Sequence, residues 1–439
     1  MNIIVLILVM LITAFFAIKP ISVRKFNVPF FAPTLFLLGL LYLGKIVSDD
    51  AIFQGIVGEG QVRPWEIIII FFSVAFVSIS VDVTGIFDYL AYKIVNFAKG
   101  NGFRLFIFFY IFAGILTLFT SNDIVILTLT PIIFYIGRHA NINILPYLFV
   151  QFFGANTLSM FLYIGNPTNI IIGNALGFGF LRYTQIMWLP TFVATLANFI
   201  LLFIIFRKQI TRHYTINEQS KVTNHNPFFT SISLAGLALM LLSLAISQNM
   251  HWDIWEVTLF FAILFFFLHL FRLLFYPSKQ SILGLTIHRM PWKILPFITV
   301  FFIYVQSLLQ YGFVDNLAEI SSHFSKNLFS GIFINGFSGI ILANIINNQP
   351  MTILFSSVFV SKSFCVAENV FLGSAYAVII ASNLAANITL MGALAGMMWK
   401  KILGDKGLCI SYWDFLKKGL LITPLVFFLT LLTLYFVLI

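Results

Sequence analysis

Charge is scarce in this sequence. Asp, Glu, Lys and Arg together make up 9% of its 439 residues, and 60% are hydrophobic; soluble domains carry about 25% charged residues. That balance excludes a water-soluble globule and points to an integral membrane protein. Cysteine is nearly absent. Cys365 and Cys409 are expected on opposite faces of the membrane, so no disulfide framework and no thiolate metal site is expected. No GxxxxGK[ST] loop occurs, which excludes ATP hydrolysis by that route. No cofactor and no metal are called for. The apolar runs are continuous rather than alternating, which excludes a barrel. The first run, 2 to 18, has no cationic leader and no small-residue cleavage site, so it is expected to be a retained span. The net charge of +10 does not make a nucleic-acid partner, because the basic residues sit between spans instead of on one soluble face.

What is present is apolar length. Runs at 2 to 18, 28 to 44, 65 to 82, 144 to 180, 186 to 206, 227 to 247, 254 to 271, 294 to 312, 368 to 399 and 419 to 438 predict about ten transmembrane helices, each able to cross a core of about 30 Å. Two further stretches, 103 to 136 and 328 to 360, carry polar tips and are expected to be re-entrant hairpins. With both termini outside, every Lys and Arg except Lys45, Arg63, Arg182, Lys326 and Lys362 falls in the cytoplasm, as the positive-inside rule requires. The expected fold class is an all-α polytopic membrane protein of the cell (inner) membrane, with the lipid bilayer as its first partner.

The charged stretch 207 to 226 divides the chain into 1 to 206 and 227 to 439, with five spans and a hairpin each. An odd number of spans per half makes the halves inverted repeats. "GANTLSMFLYIGNPTN" in the first half answers "ASNLAANITLMGALAG" in the second. Asn156 pairs with Asn383 and Gly165 with Gly392, both 227 apart, and the tips pair as Asn122 with Asn348, 226 apart. Inverted repeats with interrupted helices near the midplane mark secondary transporters.

The candidate substrate-binding residues are Ser121, Asn122, Asn156, Thr157, Asn166, Thr168 and Asn169 in the first half. In the second they are Asn347, Asn348, Ser382, Asn383, Asn387 and Thr389. Gly165, Pro167, Pro350 and Gly392 are the candidate hinges. Broken helices leave backbone groups unpaired, which is tolerable at depth only where they line a wet or substrate-filled cavity. Asn, Ser and Thr add neutral donors and acceptors, a toolkit for small polar solutes and ions. The competing reading is that these residues are interhelical glue; their repetition in register argues against it. Asp123 is the only ionisable side chain among the tips and breaks, so it is the candidate proton-coupling residue. Asp82 and Asp88, at the cytoplasmic end of the third span, are expected to be solvated. His269 and Arg272 are expected to anchor a span end at the interface. An enzyme is not expected, since a membrane-embedded transferase needs a paired acid and base at a membrane face and none is evident.

The stretches "SNDIVILTLTPI", "IGNPTNIIIGNALGFGF", "NIINNQPMTIL" and "SNLAANITLMGALAGMMW" resemble the arsenite efflux pumps of the ion transporter superfamily. That superfamily also holds sodium/proton antiporters and sodium-coupled dicarboxylate and citrate carriers. The resemblance covers most of the chain. It implies ten spans, two opposed hairpins and proton-coupled export of a small neutral hydroxide such as arsenous or antimonous acid, and it carries the family's tip aspartate onto Asp123. The carriers' Ser-Asn-Thr tips are replaced here, Thr giving way to Asp123 and Gln349. The family's Thr-Pro-x-Gly break reads Thr389, Leu390, Met391, Gly392, and without its proline a less sharp break is expected. Protons and a small solute are the implied ligands, and a soluble ATPase docking on the 207 to 226 loop is a candidate partner left open. The alternative reading is a sodium- or proton-coupled anion permease, or a sodium/proton antiporter.

Overall fold

The structure, a computed structural model, describes residues 1–18, 22–23, 26–29, 31–58, 62–140, 142–214, 227–275 and 281–439. Most of the expected linker, from 215 to 226, lies outside these residues, as do Lys19, Arg24, Lys25, Lys221 and Lys279. The first half runs α1 (Asn2–Ile18), α2 (Phe31–Leu43), α3 (Asp49–Val57), α4 (Pro64–Val83), α5 (Ile86–Phe97), α6 (Gly102–Phe119), α7 (Asn122–Ala140), α8 (Leu145–Leu158), α9 (Pro167–Ala175) and α10 (Phe180–Phe206). The second runs α11 (Pro227–Ile246), α12 (Ile254–Phe275), α13 (Ile282–Arg289), α14 (Ile294–Gln310), α15 (Phe313–Phe324), α16 (Leu328–Ile346), α17 (Asn348–Val360), α18 (Glu368–Leu384), α19 (Leu394–Asp405) and α20 (Tyr412–Leu438). The only sheet among the described residues pairs Ser22–Val23 with Phe26–Asn27. The chain is therefore an all-α polytopic membrane protein.

Nine helical runs among the described residues are long and apolar enough to cross a membrane. α1 and α2, read from the sequence as spans, are shorter: 17 and 13 residues. The first arms of both hairpins, α6 and α16, reach spanning length instead. Four short helices, α3, α5, α13 and α15, occupy stretches that the sequence reading assigned to loops. α5 and α15 bury one face only, through residues such as Ile86 and Ala91 or Val314 and Ala318.

Matching punctuation recurs in both halves. Pro64-Trp65 opens α4 and Pro291-Trp292 precedes α14. α5 and α15 each follow a glycine with positive φ, Gly85 at 81° and Gly312 at 73°, a conformation that glycine adopts without steric cost. α6 and α16 are each capped by an asparagine, Asn101 and Asn327, which satisfies backbone N–H groups that helix starts leave free. The packing is crossed: α3 lies against α14 and α13 against α4, while α9 packs on α17 and α7 on α19. Aromatic rings close the contact between halves, Trp399 being fully buried against Phe149, Phe152 and Phe415 at centroid separations of 5.7, 4.9 and 5.8 Å.

His269 is not an interfacial anchor. It is 1% exposed, beside Phe265, because α12 continues past it to Phe275 and turns its histidine inward. Arg272 lies over the ring of Phe229, 4.6 Å from its centroid.

Candidate functional site

Both hairpins turn at a polar tip and both tips dock on a helix break. The Asn122 N–H donates to the Gly165 carbonyl at 3.4 Å, and the Asn348 N–H to the Gly392 carbonyl at 3.1 Å. Glycine is required at each break. A Cβ on Gly165 would strike the Ser159 carbonyl, and one on Gly392 the Ala385 carbonyl, because the chain folds straight back over the helix it has just left. Pro167 opens α9 and Pro350 sits in the first turn of α17, where a missing N–H costs nothing. These prolines start helices; no kink is made at either. The second break is complete without a proline: α18 ends at Leu384, a 3-10 turn follows at Ala385–Asn387, and helix resumes only at Leu394. The Thr389 hydroxyl accepts from the N–H groups of Met391 and Gly392 at 3.2 and 3.1 Å, holding a turn that helix continuation would destroy.

Four helix N-termini, those of α7, α9, α17 and α19, therefore open at the tips and breaks, and each presents partial positive charge. Side chains cap three of them. Ser121 accepts from Ile124 N–H, Asn166 from Thr168 N–H and Asn347 from Gln349 N–H. Asn347 takes φ 78° and ψ 153°, a region that costs a residue with a side chain on the order of 1–3 kcal/mol. Its side chain also donates to the Met391 carbonyl at 3.1 Å, which holds it there.

Most of the predicted substrate residues are spent on one another. Asn122 donates to Asn156 at 2.9 Å, Asn156 to Asn387 at 3.2 Å and Asn387 to Thr157 at 3.3 Å. The Asn383 oxygen accepts from Ser159 at 2.6 Å and from Asn166 at 2.8 Å, while its nitrogen donates to Asn169 at 2.7 Å. Ser382 donates to Thr168 at 2.9 Å, and Thr389 to Asn344 at 2.6 Å. The Asn348 side chain donates to the Ser382 carbonyl. All of these expected site residues are buried, and the network stitches the first break to the second. Two tip acceptors have no partner among the described residues, Asn122 Oδ1 and Gln349 Oε1.

The open space lies beside this network. A cavity of about 440 Å³ runs between α4, α5, α7 and the α13–α14 junction. From the predicted set only Ser121 and Asp123 line it. Asp123, in the first turn of α7 and partly exposed, has no hydrogen-bond or ion-pair partner among the described residues. Asp82, Asp88, Thr128 and Arg289 complete the polar lining. The solvated role expected for Asp82 is corrected: it is 7% exposed, its Oδ2 accepts from Arg289 Nη1 at 2.9 Å and its Oδ1 from Thr128 at 3.1 Å. The apolar run of α4 continues to Val83, which keeps Asp82 inside the packed helix, whereas Asp88 is exposed. Sequence reading had no signal for the Arg289 pairing, since the partners lie 207 residues apart. At the other end of α4, Glu66 is buried and bonded to Arg63 at 2.8 Å and to Asn174 of α9 at 3.2 Å. A second cavity, of about 450 Å³, lies between α15, α16 and α17, is largely apolar and includes no tip residue in its lining. No group of His, Cys, Asp and Glu able to hold a metal ion is found among the described residues.

The family described as citrate transporter matches residues 3–363. The chain belongs to that family. It is 24% identical over 409 residues to the arsenical pump membrane protein of Escherichia coli strain K12, a match covering 90% of this chain and 92% of that one. It is 25% identical over 381 residues to the putative arsenical pump membrane protein of Bacillus subtilis, covering 82% and 84%. An uncharacterized transporter of Synechocystis is 24% identical over 378 residues, covering 80% and 81%. The resemblance to arsenical pumps thus spans nearly the whole chain, which is a transporter of the arsenical pump and citrate transporter family and a multi-pass protein of the cell membrane.

Proposed function

We propose that this family member is a proton-coupled exporter of a small neutral metalloid hydroxide, of the arsenous or antimonous acid type, and not an enzyme. The observation that carries the reading is the unpaired Asp123 carboxylate on the cavity at the first hairpin tip. A carboxylate at membrane depth with no countercharge favours binding a proton or cation. Ser121 and Thr128 add hydroxyl groups to the cavity lining, neutral donors and acceptors that suit a hydroxide with several O–H groups. The cavity holds three carboxylates and one guanidinium, a poor lining for a polyanion. Inward proton movement supplies about 2.3 kcal/mol per charge per 100 mV, enough to drive a neutral solute outward without ATP.

The two halves act as inverted repeats, the recurring helix order and crossed packing supporting this, and the Asn network is the seam across which they meet. In the topology given by the basic residues, exposed Asp88 and half-exposed Arg289 lie at the cytoplasmic end of the cavity. The names of the relatives support the arsenical substrate, while the family description keeps a second reading, a sodium- or proton-coupled carrier of organic anions. Flux into everted vesicles with arsenite, sodium and succinate tested side by side decides. Proton-driven arsenite accumulation is expected; sodium-dependent succinate flux without arsenite flux overturns the proposal.

A further inference from the structure

Arg289 is the one Lys or Arg on the cavity among the described residues, and its charge is already taken. Its guanidinium is half exposed, 53% at the side chain, while the Asp82 carboxylate that it meets at 2.9 Å is 6% exposed. Thr128, one and a half turns beyond Asp123 on α7, fixes the other oxygen of Asp82 at 3.1 Å. Asp82 cannot swing away from Arg289 without breaking that bond. Exposed Asp88 lies within electrostatic reach of the same guanidinium.

We propose that Asp82 determines the charge of the solute that this cavity accepts: by holding Arg289 in a fixed ion pair, it denies anions the one group that would bind them. The proposal rests on the reading of this cavity as the solute path. A guanidinium presents a fork of donors that matches a carboxylate in two parallel hydrogen bonds, so an unmasked Arg289 on this cavity is an anion site. Asp82 works through Arg289 and is a positioning residue. The sign of the accepted charge is set by which partner the arginine has.

The test is equilibrium binding of radiolabelled succinate to the full-length protein in nanodiscs at neutral pH. Wild type is expected to show no saturable binding. Asp82→Asn keeps the acceptor for Thr128 and removes the negative charge, so it is expected to gain saturable binding at least tenfold above background. Asp82→Asn with Asp88→Asn should bind more tightly, and adding Arg289→Gln should abolish the gain in both. Loss of a merely structural bond creates no anion binding that depends on Arg289. If Asp82→Asn does not insert, Asp82→Ser also frees the guanidinium and is read the same way. No succinate binding by correctly inserted Asp82 variants overturns the proposal, as does binding that survives Arg289→Gln. Wild-type protein that already binds succinate overturns both this proposal and the neutral-solute reading. Absent arsenite flux in wild type, with the Asp82→Asn gain intact, overturns the transport reading alone.

Discussion

At Asp123 the chemistry narrows to one side chain. Its neighbours in the tip are amides and a hydroxyl, and no described residue neutralises it. Asp123→Asn keeps shape and hydrogen bonding while removing titration. We expect the variant to insert at wild-type levels and to lose proton-driven export at least tenfold, while keeping downhill exchange of solute. Asp123→Glu should retain partial activity with a shifted pH profile. Export in everted vesicles equal to wild type for Asp123→Asn would show a structural hydrogen-bonding residue instead. Asn383 belongs to a different class. Its side chain bonds to Ser159, Asn166 and Asn169; Ser159 keeps the Asn156 carbonyl, so Asn383→Leu strands two buried partners, Asn166 and Asn169, each at a cost of about 1–3 kcal/mol. We expect lower thermal stability of the purified protein together with lost flux. Unchanged melting would mean that water replaces the amide, and the residue would then be open to solute.

Among the elements, the broken helices decide the architecture. α8 with α9, and α18 with α19, each read in the sequence as one apolar run. The chain reverses at Gly165 and Gly392 because only glycine fits beneath the carbonyls of Ser159 and Ala385. Gly165→Ala and Gly392→Ala are expected to push the loop off its docked hairpin tip, reducing flux more than tenfold while leaving insertion intact. Wild-type flux in both variants would show that the breaks relax without consequence. The tips, the glycines and their spacing were legible in sequence, because Asn, Asp, Gly and Pro stand out in an apolar chain. The short helices α3, α5, α13 and α15 were not, since each is too short to span and buries only one face. The second break was underestimated because Thr389 does by side-chain acceptance what the missing proline does by geometry.

For the whole molecule, the two native cysteines report the topology. Both are free and exposed, and the positive-inside arrangement puts Cys365 outside and Cys409 in the cytoplasm. A membrane-impermeant maleimide should label Cys409→Ser protein, through Cys365, in right-side-out vesicles. It should label Cys365→Ser protein, through Cys409, only in everted ones. Labelling of both from one face would remove the inverted arrangement of the halves.

Sequence by itself determined the membrane class, the polar tips and breaks, and their recurrence at 226 to 227 residues, because each of these is a matter of local composition or register. It also singled out Asp123, since one charge in a neutral setting needs no fold to be noticed. What only the tertiary structure decided is which polar residues face open space. Hydrogen-bond partners such as Asn383 and Ser159 are far apart in the chain, and packing consumes most of the asparagines in joining the halves. The same packing brings Arg289 to Asp82, 207 residues away. Composition counts charges along the chain, whereas the fold alone sets which of them are cancelled at a distance of 2.9 Å.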